Sequence, residues 1–206
     1  MHFSNYIVPI YGGEEFLGTG FIVKGLLVTA FHVIEGSTNL WFYFDNKRIV
    51  IDPNRYLLKE GDNDDKENLN NIILYPQIAQ DIFVCETEIE ESDLFLSSYY
   101  DIAQVCVFCG YSFDDDNQIL RRDEITDIKI IRTEALTNHY GQLITLNNSI
   151  SCQCVLASGN SGGPLMQNGK VIGMLIRGVD YRNGYHECTF IKAYYIIQKI
   201  EENKHI

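Results

Sequence analysis

The chain has 206 residues, of which 46% are apolar, and a formal net charge of −12 at pH 7. This length suits one domain, or two small halves that share a core. The composition excludes a disordered, collagen-like or low-complexity chain. The acidic surface repels the phosphate backbone of nucleic acids and anionic membranes, so we predict neither as a partner.

The start of the sequence shows neither the basic region nor the apolar segment of a secretion signal. No apolar run approaches the roughly 18 residues that a membrane helix needs. A protein without such a signal is expected to stay in the cytosol, where thiols are kept reduced. We therefore predict a cytoplasmic protein with six free thiols, at Cys85, Cys106, Cys109, Cys152, Cys154 and Cys188.

Short β-rich runs recur along the chain between turn signals, and their spacing is typical of an all-β sandwich or barrel. They lie at 16–23, 26–29, 40–44, 49–51, 82–85, 105–109, 125–131, 151–155, 171–176 and 188–191. One helix is predicted at about 193–202, where Ile196, Ile197 and Ile200 form an apolar stripe.

Two acidic segments interrupt this pattern, at 61–68 and 114–117, and both are predicted to be solvated loops. The first invites comparison with a calcium-binding loop. Counted from Asp62, however, Glu67 and Ile73 stand where an EF-hand needs a glycine and a bidentate glutamate. A solvated loop is therefore the favoured interpretation.

Three motifs supply the residue types of nucleophilic catalysis. The run Gly-Asn-Ser-Gly-Gly-Pro places Ser161 on a glycine-rich turn, where the amides of Gly159 and Ser161 can form an oxyanion hole. Residues 18–33 predict two strands and a helical turn that carries His32, and Asp81 opens an apolar strand. A serine nucleophile needs a base, and the base needs a carboxylate that holds its tautomer. We predict the triad His32, Asp81 and Ser161.

Together these motifs resemble the chymotrypsin-like (trypsin-fold) serine peptidases, and among them the compact HtrA-like bacterial members. The chain keeps the family's order of histidine, aspartate and serine. The resemblance implies an all-β fold of two antiparallel Greek-key β-barrels with a C-terminal helix. It places His32 and Asp81 in an N-terminal barrel at 1–95, and Ser161 in a C-terminal barrel with the terminal helix at 96–206.

The resemblance also implies a primary specificity pocket, because residues 169–178 look like the strand that lines it. Val155, six residues before the nucleophile, stands at the place of the pocket floor. A floor without charge predicts an apolar or small residue before the cut, and no trypsin-like selection for Lys or Arg. An acidic preference stays open as the alternative, since a basic side chain could face a carboxylate. The implied pocket residues are Val155, Ile176, Arg177, Gly178 and His186.

The chain departs from the family at two positions near the site. Asn160 stands where the digestive enzymes carry an acid that pairs with a newly cut amino terminus, so that activation switch is not expected here. Ile176 stands where many relatives have a serine that supports the catalytic carboxylate, which would cost Asp81 one hydrogen bond. Asp101 has a similar local sequence and is the alternative orienting acid.

The cysteines raise the alternative of a zinc site, with Cys106 and Cys109 as one pair of ligands and Cys152 and Cys154 as the other. Both pairs fall in apolar strands. Residues three apart on a strand point to opposite faces, so Cys106 and Cys109 would not converge without a bulge. We therefore predict buried thiols, and neither a metal nor a cofactor.

We expect a serine endopeptidase that carries out limited processing of intracellular protein substrates. No appended recognition module is apparent in 206 residues, so targeting would come from the cleft or from a regulatory or targeting partner protein. The alternative from another class is a catalytically silent trypsin-fold protein-binding module. A small-molecule esterase is a third hypothesis, which the extended cleft of the fold disfavours.

Overall fold

The structure is a computed structural model that describes residues 3–60, 80–114, 119–139, 142–180 and 184–204. The segment at 61–68, predicted to be a solvated loop, lies outside the described residues. Of the second acidic segment only Asp114 is described, at the end of a strand.

The first half of the chain forms a seven-stranded antiparallel sheet in the order β5-β4-β1-β2-β3-β7-β6. A short helix, α1 (Phe31–Ile34), follows the third strand directly. The strands are β1 (Ile7–Gly12), β2 (Glu15–Val23), β3 (Leu26–Thr29), β4 (Leu40–Phe44), β5 (Lys47–Val50), β6 (Tyr56–Glu60) and β7 (Ile82–Glu86).

The second half forms a closed barrel in the order β12-β15-β14-β13-β8-β9, together with a separate two-stranded hairpin, β10-β11. The chain ends in helix α2 (Ala193–Lys204). The strands are β8 (Cys106–Asp114), β9 (Ile119–Arg132), β10 (Ala135–His139), β11 (Gln142–Leu146), β12 (Ser149–Gln153), β13 (Pro164–Gln167), β14 (Lys170–Asp180) and β15 (His186–Lys192).

Among the hairpin turns that the structure describes, three consist of two residues that both have positive φ. Type I′ turns require this conformation, and they suit the right-handed twist of the strands they connect. Asn and Gly tolerate positive φ best, which explains the composition of these turns. The turns are Lys24-Gly25 between β2 and β3, Asp45-Asn46 between β4 and β5, and Asn168-Gly169 between β13 and β14.

Helix α2 joins the two halves. Tyr195, Ile196 and Ile200 are buried on one face of the helix, and they belong to the same apolar cluster as the first sheet. A second cluster lies in the closed barrel and includes the neighbouring rings of Phe108 and Phe190. The last described segment of the chain therefore packs back on the first half, where it contacts strand β6.

The prediction of an all-β fold with two barrel-like halves and a terminal helix is confirmed. The strand at 40–44 has the predicted bounds, and the predicted 125–131 is the end of the longer β9. The terminal helix continues to Lys204. The strands that the pattern missed are β1, β6, β10, β11 and β13.

Candidate active site

His32 and Asp81 meet at the ends of two neighbouring strands. Strands β3 and β7 are antiparallel partners, with Thr29 opposite Phe83, so the end of β3 adjoins the start of β7. Asp81 directly precedes β7, and His32 lies in α1, just after β3. The strand pairing therefore brings together two side chains that are far apart in the sequence.

Asp81 holds His32 through two hydrogen bonds. The backbone N–H of His32 donates to Oδ1 at 2.9 Å, and its ring Nδ1 donates to Oδ2 at 2.6 Å. The Asp81 side chain is 11% exposed, whereas that of His32 is 44% exposed. A carboxylate on Nδ1 fixes the proton there and leaves the lone pair on Nε2, which is the arrangement of a general base.

Asp101, the alternative orienting acid, has different partners. Its carboxylate accepts a hydrogen bond from the backbone N–H of Ala103 at 2.9 Å and one from the amide of Gln104 at 3.1 Å. Asp101 therefore closes a turn between the two halves, and Asp81 is the aspartate that contacts His32.

The turn that carries Ser161 is fixed against the strands that precede His32. The backbone N–H of Thr19 donates to the carbonyl of Ser161 at 2.9 Å. Gly162 follows at φ +83°, and a Cβ there would lie 2.1 Å from the Thr19 carbonyl and 2.2 Å from the Thr29 hydroxyl. Only glycine fits so close a contact. Gly162 thus lets the two halves of the chain meet next to Ser161.

The oxyanion-hole prediction concerns the amides of Gly159 and Ser161. Gly159 has φ +91°, a conformation that favours glycine. Among the described residues, neither amide donates a hydrogen bond to a protein acceptor. Two N–H groups without a protein acceptor in the Ser161 turn suit the predicted oxyanion hole.

Asn160 orders this turn from inside. Its side chain is buried, and its Oδ1 accepts a hydrogen bond from the Ala157 amide at 2.9 Å. Its Nδ2 donates to the carbonyl of Tyr111 at 2.9 Å and to Oδ2 of Asp123 at 2.7 Å. The neutral amide therefore satisfies its polar atoms locally, and an ammonium group is not needed to hold it.

Thr19 is a second ordering residue, and the sequence analysis did not identify it. Its buried hydroxyl donates to the carbonyl of Gly159 at 2.8 Å and accepts from the amide of Tyr111 at 2.8 Å. One hydroxyl from β2 thus connects the serine turn to β8. The Thr-Gly pattern of β2 gave no sign of this, because both partners are distant in the sequence.

The residues predicted to line the pocket are found in different settings. Val155 is 62% exposed, and Ile176 and Arg177 are half-buried. Gly178 pairs with Cys188 across the β14-β15 ladder, and a Cβ at Gly178 would lie 3.8 Å from the Cys188 thiol. A larger residue substituted at position 178 would therefore contact the Cys188 thiol.

His186 lies further along the same hairpin, opposite Asp180. Its ring Nδ1 is 2.5 Å from Oδ1 of that aspartate. A histidine already held by a carboxylate is a weaker partner for an acidic substrate side chain, since the neighbouring negative charge repels a second one. The pairing disfavours the alternative of an acidic preference through His186.

All six cysteines are free and buried. Burial raises the pKa of the thiols of Cys85, Cys106 and Cys109 to about 11. A hydrogen bond to Cys188 and burial also raise the pKa of Cys154. Thiols held in the protonated form are poor nucleophiles and poor metal ligands. No set of three or more potential metal ligands is gathered within the described part of the chain.

Comparisons with known proteins agree with this geometry. The two β-rich halves and the terminal helix define a trypsin-fold protein. A family model described as the trypsin-like peptidase domain matches residues 18–174. The chain therefore belongs to the trypsin-like peptidase domain family. A search of curated protein sequences found no significant match.

Three solved structures illustrate the similarity. Neuropsin, a serine protease of mouse brain, superposes with a TM-score of 0.64 at 16% identity, over 98% of this chain and 96% of its own. The HtrA-type protease AlgW superposes with a TM-score of 0.60 at 18% identity, over 91% of this chain and 52% of its own. A scabies mite inactivated protease paralogue superposes with a TM-score of 0.60 at 17% identity, over 96% of this chain and 94% of its own. Identities this low show the fold alone.

In the described part of the chain, no helix combines the length and the apolar character needed to cross a bilayer.

Proposed function

We propose that the chain is a serine endopeptidase with Ser161 as nucleophile, His32 as general base and Asp81 as the orienting carboxylate. The observation that carries the proposal is the double hydrogen bond between Asp81 and His32, which fixes both the backbone and the ring of the histidine. A residue retained only for packing would not need its ring nitrogen directed by a buried acid.

The proposed reaction is acyl transfer from a peptide to water. Ser161 Oγ attacks the carbonyl carbon while His32 Nε2 takes the hydroxyl proton, and Asp81 stabilises the imidazolium that forms. The amides of Gly159 and Ser161 bind the oxyanion. The histidine then returns the proton to the leaving amine, and water repeats the sequence on the acyl-enzyme.

The proposed substrate is a polypeptide in an extended conformation. Strand β14 continues past the serine turn to Asp180, with Ile176 and Arg177 half-buried and Gly178 exposed. A strand of this kind can bind the backbone of an extended peptide before the cut, as in other cases of strand addition. The uncharged Val155 favours an apolar or small residue at that position.

The proposed setting is cytoplasmic, with limited processing of one or a few intracellular proteins. The six free thiols support this setting, because an oxidising compartment would expose them to pairing. Mapping of new protein amino termini after expression tests the restricted role. A few sites with a shared local sequence would support it, and hundreds of unrelated sites would contradict it.

A fluorophosphonate probe tests the chemistry directly, since it reacts with activated serines and needs no known substrate. We expect labelling at Ser161 in the unmodified chain, and none in Ser161→Ala or His32→Ala. Ser158, three residues earlier and exposed, provides the control, and Ser158→Ala should label normally. A folded chain that does not label would instead support the silent protein-binding module.

A further inference from the structure

A row of large side chains crosses the outer face of the first sheet. Tyr11 is paired with Phe16 of β2 on one side and with Trp41 of β4 on the other, and Trp41 is paired with Val50 of β5. Cross-strand partners project from the same face of a sheet. We call Phe16, Tyr11, Trp41 and Val50, with Tyr43 beside them, the aromatic row.

The aromatic row lies on the sheet face opposite Ile10 and Phe42, and its exposure differs along its length: Trp41 is 7% exposed and Tyr11 packs against the edge of the core. Ile10 and Phe42, which alternate with Tyr11 and Trp41 along their strands, are buried in the core of the first half. Successive side chains on a strand point to opposite faces, so the row lies on the other face. Tyr43 is 48% exposed. The far end of the row is therefore accessible to a ligand.

The rings of this row are already ordered. Tyr11 and Trp41 stack with centroids 4.2 Å apart and planes 7° from parallel. Tyr43 packs edge-on against Trp41 at 4.8 Å, and the Arg48 guanidinium lies 4.3 Å from the indole centroid. Aromatic rings fixed by one another lose little conformational freedom when a ligand binds. The surface is suited to binding without rearrangement.

The row begins at the predicted oxyanion hole. A Cβ on Gly159 would lie 2.3 Å from the ring of Phe16, so the two are in direct contact. On another side of the turn, Gly162 donates to the Leu175 carbonyl of β14, the strand proposed to bind substrate before the cut. A polypeptide that follows β14 into the oxyanion hole would leave it past Phe16.

We propose that the aromatic row binds the residues of a polypeptide substrate that follow the scissile bond. The proposal rests on the serine endopeptidase function proposed above. The row spans three strand spacings, about 14 Å, which about four extended residues cover. It would select a segment with a large aromatic side chain near the cut and an acidic residue further on.

The two parts of this preference have separate causes. The half-buried ring of Phe16, beside the predicted oxyanion hole, offers an apolar surface to an aromatic side chain. At the far end, Arg48 is exposed on β5 and lies opposite Tyr43, in a chain whose net charge is −12. A local positive charge on an otherwise acidic protein attracts a carboxylate and repels basic segments.

The chain has one tryptophan, and it lies inside the row. Emission from Trp41 therefore reports on the proposed surface alone. The test uses Ser161→Ala, so that no peptide is cut. The probes are the peptide amides Ala-Phe-Ala-Glu-Ala and Ala-Gly-Ala-Gln-Ala. We expect a saturable change in Trp41 emission with the first, at least about tenfold tighter than with the second.

Variants on and off the row separate its contribution. In the Ser161→Ala background, Tyr43→Ala and Arg48→Glu should each weaken binding of the aromatic, acidic peptide by about tenfold. Tyr99→Ala is the matched control, because Tyr99 is a 76% exposed tyrosine on the segment between the two halves. Near-ultraviolet circular dichroism checks that each variant is folded.

The outcomes distinguish this proposal from the one on which it rests. No saturable change, equal affinity for the two peptides, or equal losses in Tyr99→Ala and Tyr43→Ala would overturn the proposed surface. Fluorophosphonate labelling of Ser161 is read separately on the unmodified chain. Peptide binding without labelling would reject the proposed peptidase function and support the proposed binding surface. Labelling without peptide binding would support the peptidase function and reject the binding surface.

Discussion

Asn160 and Asp123 form a 2.7 Å hydrogen bond, in which the amide Nδ2 of Asn160 donates to the carboxylate Oδ2 of Asp123. The bond joins the turn before Ser161 to strand β9. The pair combines a donor with an acceptor in a half-buried place where two acceptors would repel each other. The identity of residue 160 therefore decides whether the turn is ordered.

The substitution Asn160→Asp should disorder this turn at neutral pH. It places a second carboxylate at hydrogen-bonding distance from Asp123 and removes the donor to the Tyr111 carbonyl. We expect kcat/KM to fall by about 10²-fold, the scale on which one oxyanion donor contributes. Two carboxylates this close share one proton, so activity relative to the unmodified chain should recover partly as the pH is lowered.

The control for this prediction exchanges the two groups. Asn160→Asp combined with Asp123→Asn restores one donor and one acceptor, and should recover activity lost in the single variant. The measurement is the ratio of variant to unmodified kcat/KM between about pH 8 and about pH 6. Full activity of Asn160→Asp at the upper pH would contradict this account of the turn.

The orienting acid is tested by comparing two aspartates. Asp81→Asn should lower kcat by about 10⁴-fold, the size of the effect seen in serine proteases when the histidine is held in the wrong tautomer. Asp101→Asn is the matched control and should leave kcat near its starting value, because that carboxylate only caps a turn. Steady-state hydrolysis of one peptide substrate compares them, and the reverse order would show that Asp81 was misassigned.

Thr19→Val tests whether a single hydroxyl orders the predicted oxyanion hole. The substitution keeps the shape of the side chain and removes the hydrogen bonds to Gly159 and Tyr111. We expect kcat to fall by about tenfold or more, with a smaller change in KM. The buried groups left without partners should also cost about 1–3 kcal/mol in the free energy of unfolding.

The control for Thr19 is Thr87→Val, which also removes a hydroxyl that bonds a glycine carbonyl, that of Gly25, at 3.2 Å. That bond lies in the first half of the chain, and within the described residues no hydrogen bond of Thr87 reaches the serine turn. Equal losses of kcat in the two variants would show that Thr19 acts only through general stability.

Because its thiols are buried, we expect the chain to lose stability at alkaline pH. In the folded chain the pKa of Cys85 is raised to about 11, whereas an unfolded cysteine has a pKa of about 8.5. Between these values the unfolded chain releases a proton that the folded chain retains, so the free energy of unfolding falls as the pH rises. Thermal unfolding followed across this range should show the fall.

The variant Cys85→Ala isolates this contribution. It is less stable at every pH because it leaves a small cavity, but its free energy of unfolding should fall less steeply with pH. Cys85 contributes to the pH dependence only if its removal reduces the slope of the free energy of unfolding against pH. Parallel curves for the variant and the unmodified chain would mean that other groups cause the alkaline loss.

The sequence analysis predicted the triad His32, Asp81 and Ser161 because each of these residues lies in a short motif of its own. The structure brings the first two into contact and fixes the serine turn beside them. Thr19 and Asp123 were not identified, since nothing next to them in the chain indicates their partners. Their hydrogen bonds span up to 140 residues. Such contacts depend on strand pairing, which local patterns do not contain.

Strand β1 was missed for a different reason. It contains Pro9, and proline within a run argues against a central strand because it lacks an N–H group. The register explains why the strand tolerates it. Strand β4 pairs with residues 10–12 of β1, so Pro9 lies opposite Thr19 of β2 and outside the ladder with β4.

The hydrogen bond from Thr19 to the Ser161 carbonyl has a mechanical consequence, since it joins strand β2 to a turn of the other half. Catalytic geometry is sensitive to displacements of about 1 Å, which can cost about 10²-fold in rate. A ligand or a pulling force that opened the seam between the two halves would displace Ser161 without unfolding either half. The turnover rate of the proposed peptidase would therefore report how closely the two halves are packed together.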